Sequence, residues 1–572
     1  VDRRLALAII LMILVAVAPS LLRPRRPAPT AGRSDSAPTQ RQPDTLAGAV
    51  PEVVQPQELP SRPLPSDRAA AESSRLAPSD TVWVTSRLYR LGFSTLGGQL
   101  VHAELSEYRS LAVRDSGRLV QLVPEGRPFL AHRLLLPRAG AAAPDTVPLT
   151  EWRFTASERE VTVSNAAQVL TFTAARGAAR VELEYRFDPD EYRFAVRGRV
   201  LAPGLTGAVL ALGLGDGLRS IEADTVDNYR NYAVVTKAAK TERRDFGSLD
   251  PGETQSVNGP FEWVGLKSKY FLYAALVTDQ NASPFGGAII TGGPRTGKMA
   301  TRAAVTATLT VPPTGQWSYQ VYLGPIEYRR LTRIGHALDD ANPYGGILRP
   351  VIHPISIFVL NILLWMHEQL GLAYGWVLVV FGVLVRILLW PLNQKAMESS
   401  LRMQAVAPLM KDVQERYKGD PERLQREMLK LYRDYKVNPF GGCLPMLLPL
   451  PVLFALFFVF QNTIEFRGVP FLWLPDLARH DPFYVIPVVM GLSMFAVSKI
   501  GQMGLPPTPQ TKLMLYFLPA MMTFLFLRFA SGLNLYYTVQ NIVSIPQQYM
   551  LAKRRQREQG KPPRPPDKRD KS

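Results

Sequence analysis

The chain has 572 residues and a formal net charge of +18, from 66 Lys and Arg against 48 Asp and Glu. That length allows about three or four domains. A single cysteine, Cys443, excludes an internal disulfide, and the singly scattered histidines (His102, His132, His336, His353, His367, His480) show no metal-ligand spacing, so no metal or other cofactor is expected.

A mean hydropathy of -0.01 averages two different materials. The first half is polar and alternating, and the second carries several apolar runs of bilayer length. At the start, Leu5 to Leu22 is apolar and flanked by Arg3 and Arg4. It reads as a cleaved signal peptide or an uncleaved anchor. Pro19 follows the cleavage-like triplet Ala16-Val17-Ala18 and is expected to block the peptidase, which favours an anchor over 1–22 with its N-terminus in the cytoplasm. Residues 23–79 are rich in Pro, Ala, Ser and Arg without apolar periodicity, as in a disordered linker.

From 80 to 330 the period becomes two. "RVELEYRF" places Val181, Leu183, Tyr185 and Phe187 on one face and Glu182, Glu184 and Arg186 on the other. "YRFAVRGRV" and "WSYQVYLG" repeat the alternation, and Gly97-Gly98, Asp188-Pro189 and Pro312-Pro313 mark turns. The expectation is a large all-β sandwich. "GGPRTGKM", Gly292 to Met299, approaches a phosphate-binding loop. Met299 stands where Ser or Thr would hold magnesium, and a strand-like stretch follows where a helix is needed. A hairpin turn is predicted instead.

Residues 331–371 read as a connector and an interfacial helix, because the run Ile355 to Met366 is too short to span and ends in His367, Glu368 and Gln369. A span is predicted over 373–392. A charged helical hairpin over 393–436 follows, with Asp420 as N-cap, Pro421 in the first turn, and an apolar stripe of Leu424, Met428 and Leu431. Further spans are expected at 441–462, 483–500, 511–530 and 532–551, and 553–572 is a basic tail. The positive-inside rule puts Arg3/Arg4, the hairpin, Lys499/Lys512 and the tail in the cytoplasm. The near-neutral stretch 463–482, with Trp473, then lies outside, as does the β domain. Six spans with both termini cytoplasmic satisfy every assignment.

One residue resists this pattern. Arg386 sits inside "YGWVLVVFGVLVRILLWPLNQK", where a charge near the centre of a membrane helix costs roughly 2.5–3.5 kcal/mol. It lies before Asn393, about 10 Å deep at ~1.5 Å per residue. Two readings stand: its side chain snorkels to the interface, or it faces a polar interior. Other polar residues inside the apolar runs are Gln461, Asn462, Ser493, Thr523, Asn534, Tyr536, Tyr537, Gln540 and Asn541, most of which are expected to bond between helices.

The segments "KVNPFGGCLPMLLPLPVLFALFFV" (436–459), "LWLPDLARHDPFYVIPVVMG" (472–491), "FASGLNLYYTVQNIVSIPQQ" (529–548) and "VRILLWPL" (385–392) resemble the YidC/Oxa/Alb family of membrane protein insertases. The likeness covers 350–552, with the motifs in the family's order. "KYFLYAAL" (269–276) and "YLGPIEY" (322–328) resemble that family's Gram-negative type, which carries a large periplasmic domain. The resemblance implies an inner-membrane protein with an N-terminal anchor, a periplasmic β-supersandwich over 80–330 without enzymatic activity, and a five-span α-helical insertase core over 372–552. It implies a water-filled groove, open to cytoplasm and lipid, in which Arg386 attracts the acidic outer segments of nascent membrane proteins. Gln461, Asn462, Tyr536, Tyr537 and Gln540 are the other groove candidates. Tyr536 and Tyr537 match the family's paired tyrosines, and neighbours on a helix point about 100° apart, so one of them lines the groove more than the other. Gly382 departs from the family, which has a small polar residue one turn before the arginine. Implied partners are the Sec translocon and membrane lipids.

The basic tail and hairpin suit ribosomal RNA phosphate, or serve only to fix topology. A transporter would show paired repeats, and an anchored enzyme would show a catalytic constellation. Neither pattern is visible, since His102 and His132 have no recognisable acid partner.

Overall fold

The computed structural model describes residues 80–137, 144–278, 283–297, 299–342, 344–345, 348–435, 450–503 and 509–558. The expected anchor (1–22), the linker (23–79), Cys443 with the start of the 441–462 span, and residues 559–572 of the tail lie outside them. The chain divides into two compact units, the second beginning at Pro325.

The first unit is built mainly from strands, in sheets of five, nine, six and two among the described residues. Alternation explains most of them. In Ala179–Phe187 the side chains of Val181, Leu183, Tyr185 and Phe187 are buried, while Glu182 and Arg186 face solvent. This strand pairs antiparallel with Gln168–Arg176 and Arg193–Leu201, so Glu184 lies opposite Arg197 and Glu182 opposite Arg199. Like alternation in neighbouring strands puts one continuous apolar face inward. Aromatic rings fill it, with Phe93 against Phe172, Tyr185, Phe187 and Phe194. Gly198 is required there, because a Cβ would lie 2.0 Å from the Trp317 ring packed across it. Phe271–Leu276 breaks the alternation: all six residues are buried. It is an interior strand of the nine-stranded sheet, covered on both faces. The segment at Gly292 folds as the hairpin turn predicted for it, with Arg295 paired to Ala300 and Thr296 to Met299.

The second unit is helical. Its helices are α1 (Tyr328–Ile334), α2 (Arg349–Leu370), α3 (Tyr374–Leu388), α4 (Trp390–Arg416), α5 (Pro421–Asp434), α6 (Leu450–Asn462), α7 (Val485–Gly501), α8 (Leu513–Phe526) and α9 (Ser531–Glu558). The first turn of α8 is a π-helix. Asp420 caps α5 as expected, its carboxylate accepting from the Arg423 amide at 3.0 Å. Leu424, Met428 and Leu431 form its half-buried stripe.

One expectation is corrected. The run at Ile355 to Met366 is not too short to span. It belongs to α2, which has 22 residues and, among the described residues, is the one helix long and apolar enough to cross a membrane. Pro350 fits the first turn, and Pro354 is carried inside rather than ending the helix. Gly371 in the left-handed region closes it, at φ 63°. Helices α3, α6 and α7 are apolar but shorter, at 15, 13 and 17 residues. At ~1.5 Å per residue, α3 rises about 22 Å, less than a ~30 Å hydrocarbon core.

Candidate functional site: a buried arginine between α3 and α9

Arg386 lies in the last turn of α3 and is 9% exposed. Its neighbours Leu384, Ile387 and Leu388 are exposed, so the arginine is on the opposite, packed face of the helix. Its Nη2 donates to Oε1 of Gln547 on α9 at 2.8 Å. The Gln547 amide in turn donates to the carbonyl of Trp390 at 3.4 Å, across the junction of α3 and α4. Arg386 Nε and Asn393 Nδ2 are buried donors without a partner among the described residues.

Further along α9, Gln540 donates to the Gly382 carbonyl at 2.8 Å and to the Tyr536 hydroxyl at 3.1 Å. The Tyr536 ring lies 5.9 Å from Phe381. Gly382 explains the closeness of this contact, since a Cβ there would meet Val539 at 3.1 Å and Tyr536 at 3.6 Å. The Gln540 amide thus brings a polar group from the facing helix to the backbone of α3 at Gly382.

The structure therefore unites Arg386, Tyr536 and Gln540. Tyr537 turns away, its ring 5.9 Å from Phe526 on α8. The other two candidates lie elsewhere. Asn462 bonds the Phe458 carbonyl at 2.9 Å, and its own carbonyl accepts from Asn342 at 2.9 Å, with Gln461 beside it in the final turn of α6. Phe460 packs on Gly532, at the start of α9. The way from there to Gln547 is about 22 Å of helix at ~1.5 Å per residue. Gln461 and Asn462 sit at the far end of the bundle from Arg386.

The remaining polar residues bond between or within helices. Asn541 reaches Ser493 at 3.1 Å, Asn534 the Phe526 carbonyl at 3.0 Å, and Thr523 the Pro519 carbonyl at 2.8 Å. In the β unit His102 does meet a carboxylate, contrary to expectation: Nε2 is 3.3 Å from Glu104, with Gln121 at 2.7 Å on Nδ1. Residues two apart share a strand face, so this pair was readable from period two. His132 is fully buried, 2.6 Å from the Tyr319 hydroxyl, and burial depresses its pKa to about 4.

Comparison with known proteins fits this arrangement to a family. The family model described as "YidC periplasmic domain" matches residues 81–357, and that described as "60Kd inner membrane protein" matches 365–559. The "Membrane protein insertase YidC" of Syntrophus aciditrophicus is 31% identical over 512 residues, covering 87% of this chain and 91% of the relative. The chain belongs to the YidC family. A second YidC, from Geobacter metallireducens, is 30% identical over 568 residues, covering 96% and 98% of the two chains. A solved "Active YidC insertase" covers 83% of this chain and 93% of its own, at 16% identity and a TM-score of 0.33. A galactose mutarotase-like protein from Lactobacillus casei covers 43% of this chain and 99% of its own, at 12% identity and a TM-score of 0.28.

The two family matches end and begin within α2, at 357 and 365, and the arginine cluster falls within the second. Gln547 is the member of that cluster that the sequence reading passed over. The signal was present: Tyr536, Gln540 and Gln547 stand at i, i+4 and i+11 on α9, which is one helix face.

Proposed function

We propose that this chain is a membrane protein insertase of the inner membrane, working through a polar groove between α3 and α9. The observation that carries this reading is Arg386, buried among amides and a phenol in otherwise apolar helices. Buried donors without protein partners call for water or a ligand's oxygens. A charge in such a wet site keeps much of its hydration, which makes its place among apolar helices tolerable. It attracts an acidic, hydrophilic outer segment of a nascent membrane protein. That segment moves partway across a barrier thinned by short helices, while its apolar stretch slides into lipid. No nucleotide is needed.

Gln461 and Asn462, at the bundle's far end, would meet a client after Arg386 does. The β unit lies in the periplasm and has no catalytic role in insertion. Nascent chains arrive from the ribosome, which the basic hairpin and tail contact, and the chain works alone or beside the Sec translocon. Reconstitution tests the core of this: in liposomes with no added energy source, the purified chain inserts a small membrane protein. Failure of insertion with protein that is folded and correctly oriented would refute the proposal.

The proposed topology has six spans and both termini cytoplasmic, with α2 at the outer interface. The exposed side of α2 suits an interface, since Phe358 and Trp365 flank Asn361. Its length raises the alternative that it spans. If α2 spanned, α3 would return outward and the charged hairpin would lie outside, against the positive-inside rule. Cysteine labelling separates the two in a Cys443→Ser background. External reagent is expected to reach a cysteine at Arg199 or Leu472 and to miss one at Gln425. Labelling of Gln425→Cys from outside would make α2 a span.

A further inference from the structure

We propose that Gln547 is a positioning residue that aims the Arg386 charge and so sets the preference for acidic clients. The inference rests on reading Arg386 as the groove charge, and it concerns a residue that touches the arginine rather than the client.

The geometry supports this in three steps. First, an arginine side chain is long and rotamer-rich, and holding it in one place costs entropy. Among the described residues, the hydrogen bond recorded for the Arg386 guanidinium is the one to Gln547 Oε1, at 2.8 Å. Second, Gln547 is itself fixed. It is 3% exposed, and its amide donates to the Trp390 carbonyl at 3.4 Å. That bond also orients the amide, because the nitrogen must face the carbonyl and the oxygen is left for the arginine. Third, the anchor is well chosen. Trp390 begins α4, one residue beyond the Leu389 break that ends α3, so the bridge ties α9 to the α3–α4 junction. A neutral amide in this role leaves the charge whole. A carboxylate would neutralise it, and an apolar residue would release it.

Two substitutions separate these effects. Gln547→Met keeps length and volume but loses both hydrogen bonds. Gln547→Glu keeps an acceptor on Arg386 and adds a negative charge. Each variant is reconstituted in liposomes beside the unmodified chain and Arg386→Ala. Each is given one client with an acidic outer segment and the same client with those acids changed to amides. The readout is the ratio of acidic to neutralised client inserted. A hydrogen bond to a charged group is strong enough to move this ratio about threefold or more when lost. We expect Gln547→Met to lower the ratio about threefold, and Gln547→Glu to lower it about as far as Arg386→Ala does.

A purely structural role for Gln547 predicts something else: both clients fall together and the ratio holds. That result, with Arg386→Ala still lowering the ratio, overturns the inference and spares the groove-charge reading. An Arg386→Ala ratio equal to that of the unmodified chain overturns both. Where Gln547→Met does not accumulate, Gln547→Leu, which also removes both hydrogen bonds without adding charge, decides by the same ratio.

Discussion

Arg386→Glu should insert a client with an acidic outer segment at least about tenfold more slowly than the unmodified chain, because a carboxylate would then face the client's own. The size follows from charge in a site of intermediate polarity. Opposite unit charges about 4 Å apart interact by ~4 kcal/mol at an effective dielectric constant of ~20. Only part of that survives desolvation of the client's carboxylate, and about 1.4 kcal/mol is already tenfold. Arg386→Ala should be impaired less than Arg386→Glu, and mostly for the acidic client. Arg386→Lys should keep much of the function, since the charge persists. Some loss is expected, because lysine cannot reproduce the planar donor that meets Gln547 at 2.8 Å.

The snorkelling reading predicts a different pattern. There the arginine is only a cost, and alanine would leave both clients unchanged. Arg386 is buried against α9, with Leu384, Ile387 and Leu388 taking the exposed side of α3. Equal insertion of the acidic client by the unmodified chain and Arg386→Ala, at matched expression, would end the groove-charge idea. A strict demand for arginine over lysine would keep the site but transfer its importance from charge to the bond with Gln547.

What could be read in advance depended on whether a residue's role was local. The strand at Ala179–Phe187 was legible because its two faces meet different environments, and period two records that directly. The start of α5 was legible because Asp420 and Pro421 act within one turn. Phe271–Leu276 carries no alternation, since both its faces are covered, and pattern alone could not separate it from a buried helix. The extent of α2 was misjudged because only the apolar run Ile355 to Met366 was counted, whereas the helix extends beyond it at both ends, with Pro350 tolerated in its first turn.

For the site, Arg386 announced itself as a charge in an apolar run. Its partner did not. Gln547 lies at the polar end of α9, close to Lys553 and Arg554, where a glutamine reads as an ordinary interfacial residue. Asn462 shows the converse: it stood out as a polar residue inside an apolar run, and the structure gives its bonds to Asn342 and its own helix. Pairings across 120 or 161 positions are set by packing, and spacing along one segment does not contain them.

Replacing Glu465 with Gln should make the helical unit more stable above neutral pH and leave it nearly unchanged near pH 4.5. Glu465 follows α6, in the stretch 463–482 that joins α6 to α7. Its Oε2 is buried with no partner among the described residues. Burial is the main reason its pKa is raised from 4.5 to about 7, opposed by a hydrogen bond from its own backbone and by Arg329 and helped by the negative charges of Glu327 and Glu368. The sign follows from proton counting. Between pH 4.5 and about 7 the folded chain holds a proton on Glu465 that the unfolded chain has lost. Stability therefore falls as pH rises through that window, and above it the full penalty applies. At ~1.4 kcal/mol per pKa unit, the penalty is at most about 3.5 kcal/mol.

Glutamine cannot ionise, so the variant escapes the decline. Melting of the purified chain in detergent, at pH 5, 7 and 8.5, reads this directly. The gap between variant and parent should widen from near zero to several degrees, given roughly 2–4 °C per kcal/mol for a unit of this size. Parallel melting curves at all three pH values would mean that Glu465 is ionised at little cost. The same stretch caps the last helix: the Ser531 and Gly532 amides donate to the carbonyls of Arg479 and Leu477 at 2.6 and 3.0 Å, and the Ser531 hydroxyl donates to the Asp476 carbonyl at 3.1 Å.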